Sequence, residues 1–224
     1  EEEAAKAPND PNAQGRKKHA GDAIFEDVNN DGQLDSKDMK FMGYIRPDKV
    51  GGIVNSFKYK GLTVRVVMDW AMGHVIDNGF KGQIMGSSRN NNNAIKDAMT
   101  NSWQSANDGT KYPKYTVQSD YDYQYRNHMR WDNQIGSSAS GSTNNSLYFS
   151  KGDYLAFREV SLSYMLPLSW IRKMKLSAVE VFAGAYNIGY IKKYDGMFPE
   201  IYTGVDYGIY PRPRQYNMGV KINF

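Results

Sequence analysis

Six residues in one short stretch carry oxygen donors at a spacing that suits a divalent cation. Asp27, Asn29, Asp31, Gln33, Asp35 and Asp38 occupy positions 1, 3, 5, 7, 9 and 12 of a loop whose sixth residue is Gly32. This is calcium-loop logic, with Gln33 offering its backbone carbonyl. The twelfth position is Asp rather than Glu, so two-oxygen closure has less reach, and no helix-forming segment precedes the loop. The same residues equally suit an Asx/Gly turn with solvated carboxylates. Calcium, if held, would stiffen this loop and perform no reaction.

Other chemistry-bearing groups are more dispersed. Arg65, Asp69 and Lys221 alternate with apolar residues, so each shares a face with polar neighbours. Tyr121, Tyr123, Tyr125 and Trp131 stand in an aromatic-rich stretch that also holds Tyr112, Tyr115 and Tyr148. Such side chains stack on sugars, grip peptides or anchor protein interfaces, and they also pack loops against each other. His19, His74 and His128 are too far apart to read as a ligand set. No nucleophile elbow, phosphate loop or paired acid–base motif is present, so no enzyme is expected.

The elements that position these groups are strands. From Arg214 to Phe224, Tyr216, Met218, Val220, Ile222 and Phe224 fall on one face, and Gln215, Asn217, Gly219, Lys221 and Asn223 on the other. About ten residues is the length a tilted strand needs to cross a bilayer, with lipid on one side and a wet lumen on the other. Leu62, Val64, Val66, Met68, Trp70 and Met72 repeat the pattern, opposed to Thr63, Arg65, Val67, Asp69, Ala71 and Gly73. A weaker strand at 50–59 precedes them, joined by a tight reversal at Lys60-Gly61. A third clear strand spans about 153–166, in which Leu155 and Phe157 have the opposite parity to Val160, Leu162 and Tyr164; a bulge or emergence above the membrane would account for that. A fourth begins at Ala178.

These five strands are connected alternately by short and long segments. The stretches near 1–45, 76–150 and 192–213 are expected to be loops, residues 1–21 without clear pattern and Ala94–Trp103 with one or two helical turns. Five strands cannot close a membrane barrel, for which about eight is the minimum. The expectation is an all-β chain forming part of a larger transmembrane β-barrel, not self-sufficient as a barrel.

Composition agrees with strands, turns and interfacial girdles: 17 Tyr, 9 Phe, 4 Trp and 21 Gly among 224 residues. Trp70, Trp170 and Tyr164 read as interfacial anchors. Net charge is +4, with basic residues clustered only at Arg16-Lys17-Lys18 and Arg172-Lys173-Lys175, too few for a nucleic-acid face. Without cysteine there is no disulfide or thiolate-metal framework.

Several phrases together carry a family resemblance. Gly21-Asp22 with Asp27-Val-Asn-Asn-Asp-Gly-Gln-Leu-Asp35, Tyr59-Lys60-Gly61-Leu62, and Asp153-Tyr-Leu-Ala-Phe-Arg-Glu-Val-Ser-Leu-Ser-Tyr-Met-Leu-Pro167 occur in that order. Asn187, Tyr194-Asp195-Gly196, Pro199-Glu200 and Tyr210-Pro211-Arg212-Pro213-Arg214 follow, ahead of the terminal strand. The ordered set, over residues 21–224, resembles the C-terminal part of SusC/RagA-type TonB-dependent outer-membrane transporters. Ala156, Glu159 and Ile188-Gly189 depart from that pattern. The resemblance implies a barrel of about 22 strands with a plugged lumen, the plug lying outside this chain, in a bacterial outer membrane with long loops outside. It implies import of oligosaccharides or oligopeptides with a SusD-like surface lipoprotein as lid. TonB would act through the missing N-terminal part and outer-membrane lipid would surround the strands. Arg65, Asp69 and Lys221 would then face the lumen. An alternative from the same alternation, acidic loop and aromatics is a soluble calcium-stabilised β-sandwich that binds carbohydrate.

Overall fold

A computed structural model describes residues 1–13, 15–85, 96–106, 109–110, 112–115 and 146–224. The strands are β1 (Lys49–Tyr59), β2 (Leu62–Met72), β3 (Val75–Asp77), β4 (Phe149–Lys151), β5 (Tyr154–Met165), β6 (Ala178–Lys192) and β7 (Gln215–Asn223). Five of them form one antiparallel sheet in the order β1-β2-β5-β6-β7, and β3 and β4 make a separate short ladder. The fold is all-β, as the alternation predicts. No helix among the described residues is long and apolar enough to cross a membrane, which does not bear on strands.

Local chemistry explains the strand boundaries. Lys60 and Gly61 both take positive φ (45° and 86°), the geometry of a two-residue hairpin turn whose twist matches its strands. Gly61 is required twice over, since a Cβ there would lie 2.8 Å from the Met165 carbonyl oxygen. Pro167, which lacks an N–H, marks the end of β5, and a helical turn at Leu168–Ile171 follows.

The parity conflict in β5 is resolved by a bulge. Against β2, Met68 pairs with Phe157 and Val67 with Glu159, so Arg158 is the extra residue. One inserted residue returns Leu155 and Phe157 to the same face as Val160 and Leu162, opposite Trp70, Met68, Val66 and Val64. β6 answers with its own irregularity, Phe157 pairing with Gly189 and Glu159 with Tyr186, where Asn187 adopts φ 51°.

Register then carries two faces across the whole sheet. One holds Ile53, Phe57, Met68, Val66, Leu155, Val160, Leu162, Val181, Ala183, Tyr216, Met218 and Val220. The other holds Ser56, Arg65, Asp69, Ser161, Ser163, Glu180, Gly184, Asn217 and Lys221. Four aromatic residues of the described strands, Tyr154, Phe182, Tyr186 and Tyr190, also stand on this polar face.

The chain divides into two compact units. The sheet belongs to the unit made of 44–76, 150–204 and 209–224; the other is made of 1–43, 77–149 and 205–208. In the latter, the described parts of the long 76–150 connection are structured. Ala98, Tyr112 and Tyr148 form a small core with Tyr115 and Leu147 beside it, and a helix runs Lys96–Thr100 within the span where helical turns are expected. Tyr112 donates to Asp97 at 2.7 Å. These tyrosines therefore pack the loop.

The N-terminal stretch, expected to be patternless, is also ordered. Glu2–Ala5 is a helical turn, Ala4 and Ala13 are buried, and Asn9 exchanges backbone hydrogen bonds with Gly32 and Leu34. Pairing with the acidic loop supplies the order that local pattern lacks.

Candidate functional site

The densest polar cluster centres on the bulge residue Arg158. Its Nε and Nη2 donate to the two carboxylate oxygens of Asp69 at 2.7 and 2.8 Å, a two-pronged pair that suits a planar guanidinium. Its Nη1 donates to Glu200 Oε1 at 2.5 Å. Tyr190 O–H donates to the same oxygen at 2.6 Å, while Arg212 lies 3.3 Å from Oε2. One cation thus joins β2, β5 and the segment after β6.

Glu200 is almost fully buried, with 3% of its surface exposed. Burial by itself raises the carboxyl, but hydrogen bonds from Arg158 and Tyr190 and the charges of Arg158 and Arg212 outweigh it. The group sits below the ordinary glutamate range and stays ionised.

Apolar packing completes the cluster. Phe198 and Ile201 join Ile76 and Tyr194 in a core with Tyr190 packed against it. Ala71, Tyr154 and Ala156 form a second cluster that also reaches Tyr190. The Tyr190 ring lies edge-on to both Tyr154 and Phe198, each at 5.9 Å. At the end of β6, Lys192 Nζ donates to the carbonyls of Tyr194 and Gly196, turning the chain back.

The three polar residues singled out from the sequence share this face. Arg65 pairs with Glu159 at 3.4 Å, Asp69 with Arg158, and Lys221 with Glu180 at 3.4 Å while lying over the Phe182 ring. Only Asp69 enters the Arg158 cluster. Arg158, Tyr190 and Glu200 are absent from the sequence-derived set; the one local hint is the broken parity around Arg158. Tyr121, Tyr123, Tyr125 and Trp131 lie outside the described residues.

The acidic loop closes on itself. Asp27 accepts from the N–H groups of Asp31 (3.2 Å) and Gly32 (2.7 Å), and Asn29 and Asp31 accept from residues two further on. Asp38 accepts from Val28 at 2.9 Å and from Asp35 at 2.7 Å. The Asp35 N–H is the chief cause holding the Asp38 carboxyl below its usual value. Gln33 donates its N–H to Asp31. Lys37 approaches Asp31 and Asp35 at 3.9 and 3.7 Å. The donor set is oxygen-rich, as calcium requires. Among the described residues, no three His, Cys, Asp or Glu side chains converge on one metal position.

No family model matches the chain. The TonB-dependent receptor P3 of Formosa agariphila is 26% identical over 216 residues, covering 91% of this chain and 19% of the relative. The RagAB peptide transporter superposes with a TM-score of 0.59 at 22% identity, over 80% of this chain and 17% of that one. The RagAB peptide importer gives TM-scores of 0.62 in its closed-closed state and 0.60 in its open-open state, each at 21% identity over 86% of this chain and 19% of the other. The chain therefore spans about a fifth of the length of the proteins it matches. An alignment running along nine-tenths of the residues, joined to a shared strand arrangement, makes this chain a homologue of the TonB-dependent receptors with the fold of the SusC/RagA type.

Proposed function

We propose that this chain is a section of the barrel wall of an outer-membrane importer, energised through TonB and capped by a SusD-like lipoprotein that delivers oligosaccharides or oligopeptides. The observation that carries the reading is the open apolar face. Ile53, Phe57, Val160, Leu162, Val181, Met218, Val220 and Ile222 are all exposed, Met218 at 87%. In water such a continuous face would drive association; in hydrocarbon it is the expected surface of a barrel. The strands run 11, 11, 12, 15 and 9 residues, enough to cross. A sandwich would bury this face under a second sheet, so the soluble carbohydrate-binding alternative has less support.

In this reading lipid bathes the apolar face and the polar face lines the lumen. Arg65, Asp69 and Lys221 point inward, neutralised by partners on neighbouring strands, and the long connections face outside. Tyr121, Tyr123, Tyr125 and Trp131 are assigned to lid or cargo contact by residue type. Peptide cargo draws support from the RagAB likeness. Calcium at Asp27, Asn29, Asp31, Gln33, Asp35 and Asp38 would brace an external loop. A calcium titration that protects the 27–38 amides supports that assignment, and unchanged exchange at millimolar calcium removes it.

The full-length protein tests the main proposal. It should fractionate with outer membranes, show heat-modifiable migration, and take up labelled peptide or glycan only with TonB present. Recovery in the soluble fraction without detergent would end the reading.

A further inference from the structure

Resting on the barrel reading above, we infer that residues 194–204 form a strap folded onto the lumenal face of the sheet, with Glu200 as the catch that holds it to Arg158. The strap narrows the passage along the wall it covers.

The covering is visible in burial. Ala71, Tyr154 and Ala156 stand on the polar face at one end of β2 and β5, and all three are buried, Ala156 to 1%. Their cover includes Tyr190 of β6, and Tyr190 in turn packs against the strap residues Tyr194, Phe198 and Ile201. Further along the same face Arg65 keeps 44% of its side chain open. The strap therefore overlies one end of the lumenal surface.

The catch is visible in the chemistry. Arg158 is the residue that the β2–β5 register skips. It offers one edge to Asp69 on the neighbouring strand and its remaining Nη1 to Glu200 on the strap. Glu200 reaches the wall and the chain leading into β7 through Arg158, Tyr190 and Arg212. A buried carboxylate is tolerated only where its lone pairs are filled in this way. Losing one partner leaves it stranded and weakens the strap's hold on the wall. Glu200 is thus a positioning residue for the lumen's shape.

Hydrogen exchange on the full-length protein, extracted from outer membranes in detergent, tests this. Glu200→Gln keeps the shape and removes the charge; Arg158→Lys keeps the charge and removes the fork. Both should raise exchange in peptides spanning 194–204 by about tenfold or more while β2 and β6 peptides hold their protection, as expected for release of a locally stable unit. Unchanged exchange at 194–204 in both variants, in a protein that still shows heat-modifiable migration, overturns the strap and leaves the barrel standing. Equal loosening of strap and strands in both variants also overturns it, because the pair would then be holding the wall. A wild-type protein that never assembles in the membrane sinks the barrel reading and the strap with it.

Discussion

The two faces of the one sheet reverse the burial order of a water-soluble protein. On the apolar face Met218 is 87% and Tyr216 72% exposed. On the polar face an ionised glutamate is buried beside an arginine. Hydrophobic transfer alone would give the opposite, at roughly 25 cal/mol per Å² of apolar surface. In the proposed setting each face answers to a separate solvent. The apolar face has no protein partner among the described residues because lipid is its partner in the proposed setting. The polar face is closed at one end by charge pairing and edge-on aromatic contacts.

The sharpest way to break this comparison is to charge the apolar face. Val66→Arg and Val220→Arg lie on strands far apart in the sheet, so their effects should add. Each is expected to cost about 2–4 kcal/mol if it sits near the bilayer midplane. The double variant should lose heat-modifiable assembly, whereas Arg65→Gln and Asn217→Gln on the other face should assemble normally. Equal tolerance on both faces would abolish the distinction.

The next effect lies on the polar face. Arg158→Leu leaves Asp69 and Glu200 without their shared cation, and removing one partner of a buried pair costs about 3–5 kcal/mol. The low end applies here, since 40% of the Asp69 side chain is open. Urea unfolding in detergent should show the loss at neutral pH. Acid should shrink it. Glu200 is held below its ordinary value of 4.5, so its contribution is fully present above that pH and disappears as pH falls through the depressed folded value. Wild type and Arg158→Leu should therefore converge in acid. A gap that persists undiminished below pH 4.5 would assign the cost to packing instead of charge.

Much of the wall is legible in sequence because a strand writes its two environments at alternate positions. Tyr216 to Ile222 and Leu62 to Met72 needed no other information. Lys60-Gly61 marked its turn through residues that accept positive φ. The Arg158 cluster was not legible in the same way. Its hydrogen bonds join residues 89 and 42 positions apart, and periodicity carries no record of such separations. What the sequence did hold was a disturbance, the reversed parity of Leu155 and Phe157. The inserted residue that corrects it is Arg158 itself. Packing of Tyr112 and Tyr148 was among the readings the aromatic stretch allowed, but their partners were not legible, because the core that takes them is assembled from short pieces of a long connection.

The smallest expected effect concerns the end of β2, outside the strand. His74 is buried, and its Nδ1 finds no hydrogen-bond partner among the described residues. Its Nε2 lies 2.3 Å from where a Cβ on Gly152 would stand, so that glycine makes room for the ring. Desolvation lowers the imidazole below its ordinary 6.5, and the Asp153 carboxylate opposes it only in part. Asp153 is otherwise engaged, accepting from Gly73 N–H at 2.8 Å and pairing with Lys193 at 3.0 Å. A depressed folded value means that the neutral ring contributes its stability above pH 6.5, and that this is lost as pH falls through the folded value. The wild-type thermal midpoint should therefore drop between pH 7.5 and 5.5 by more than that of His74→Gln, which cannot take up a proton. This window lies above the range in which Glu200 responds, so the two sites can be titrated apart. Identical midpoint-against-pH curves for the two proteins would mean that the ring is protonated without penalty, and that the space beside Gly152 is more polar than its packing indicates.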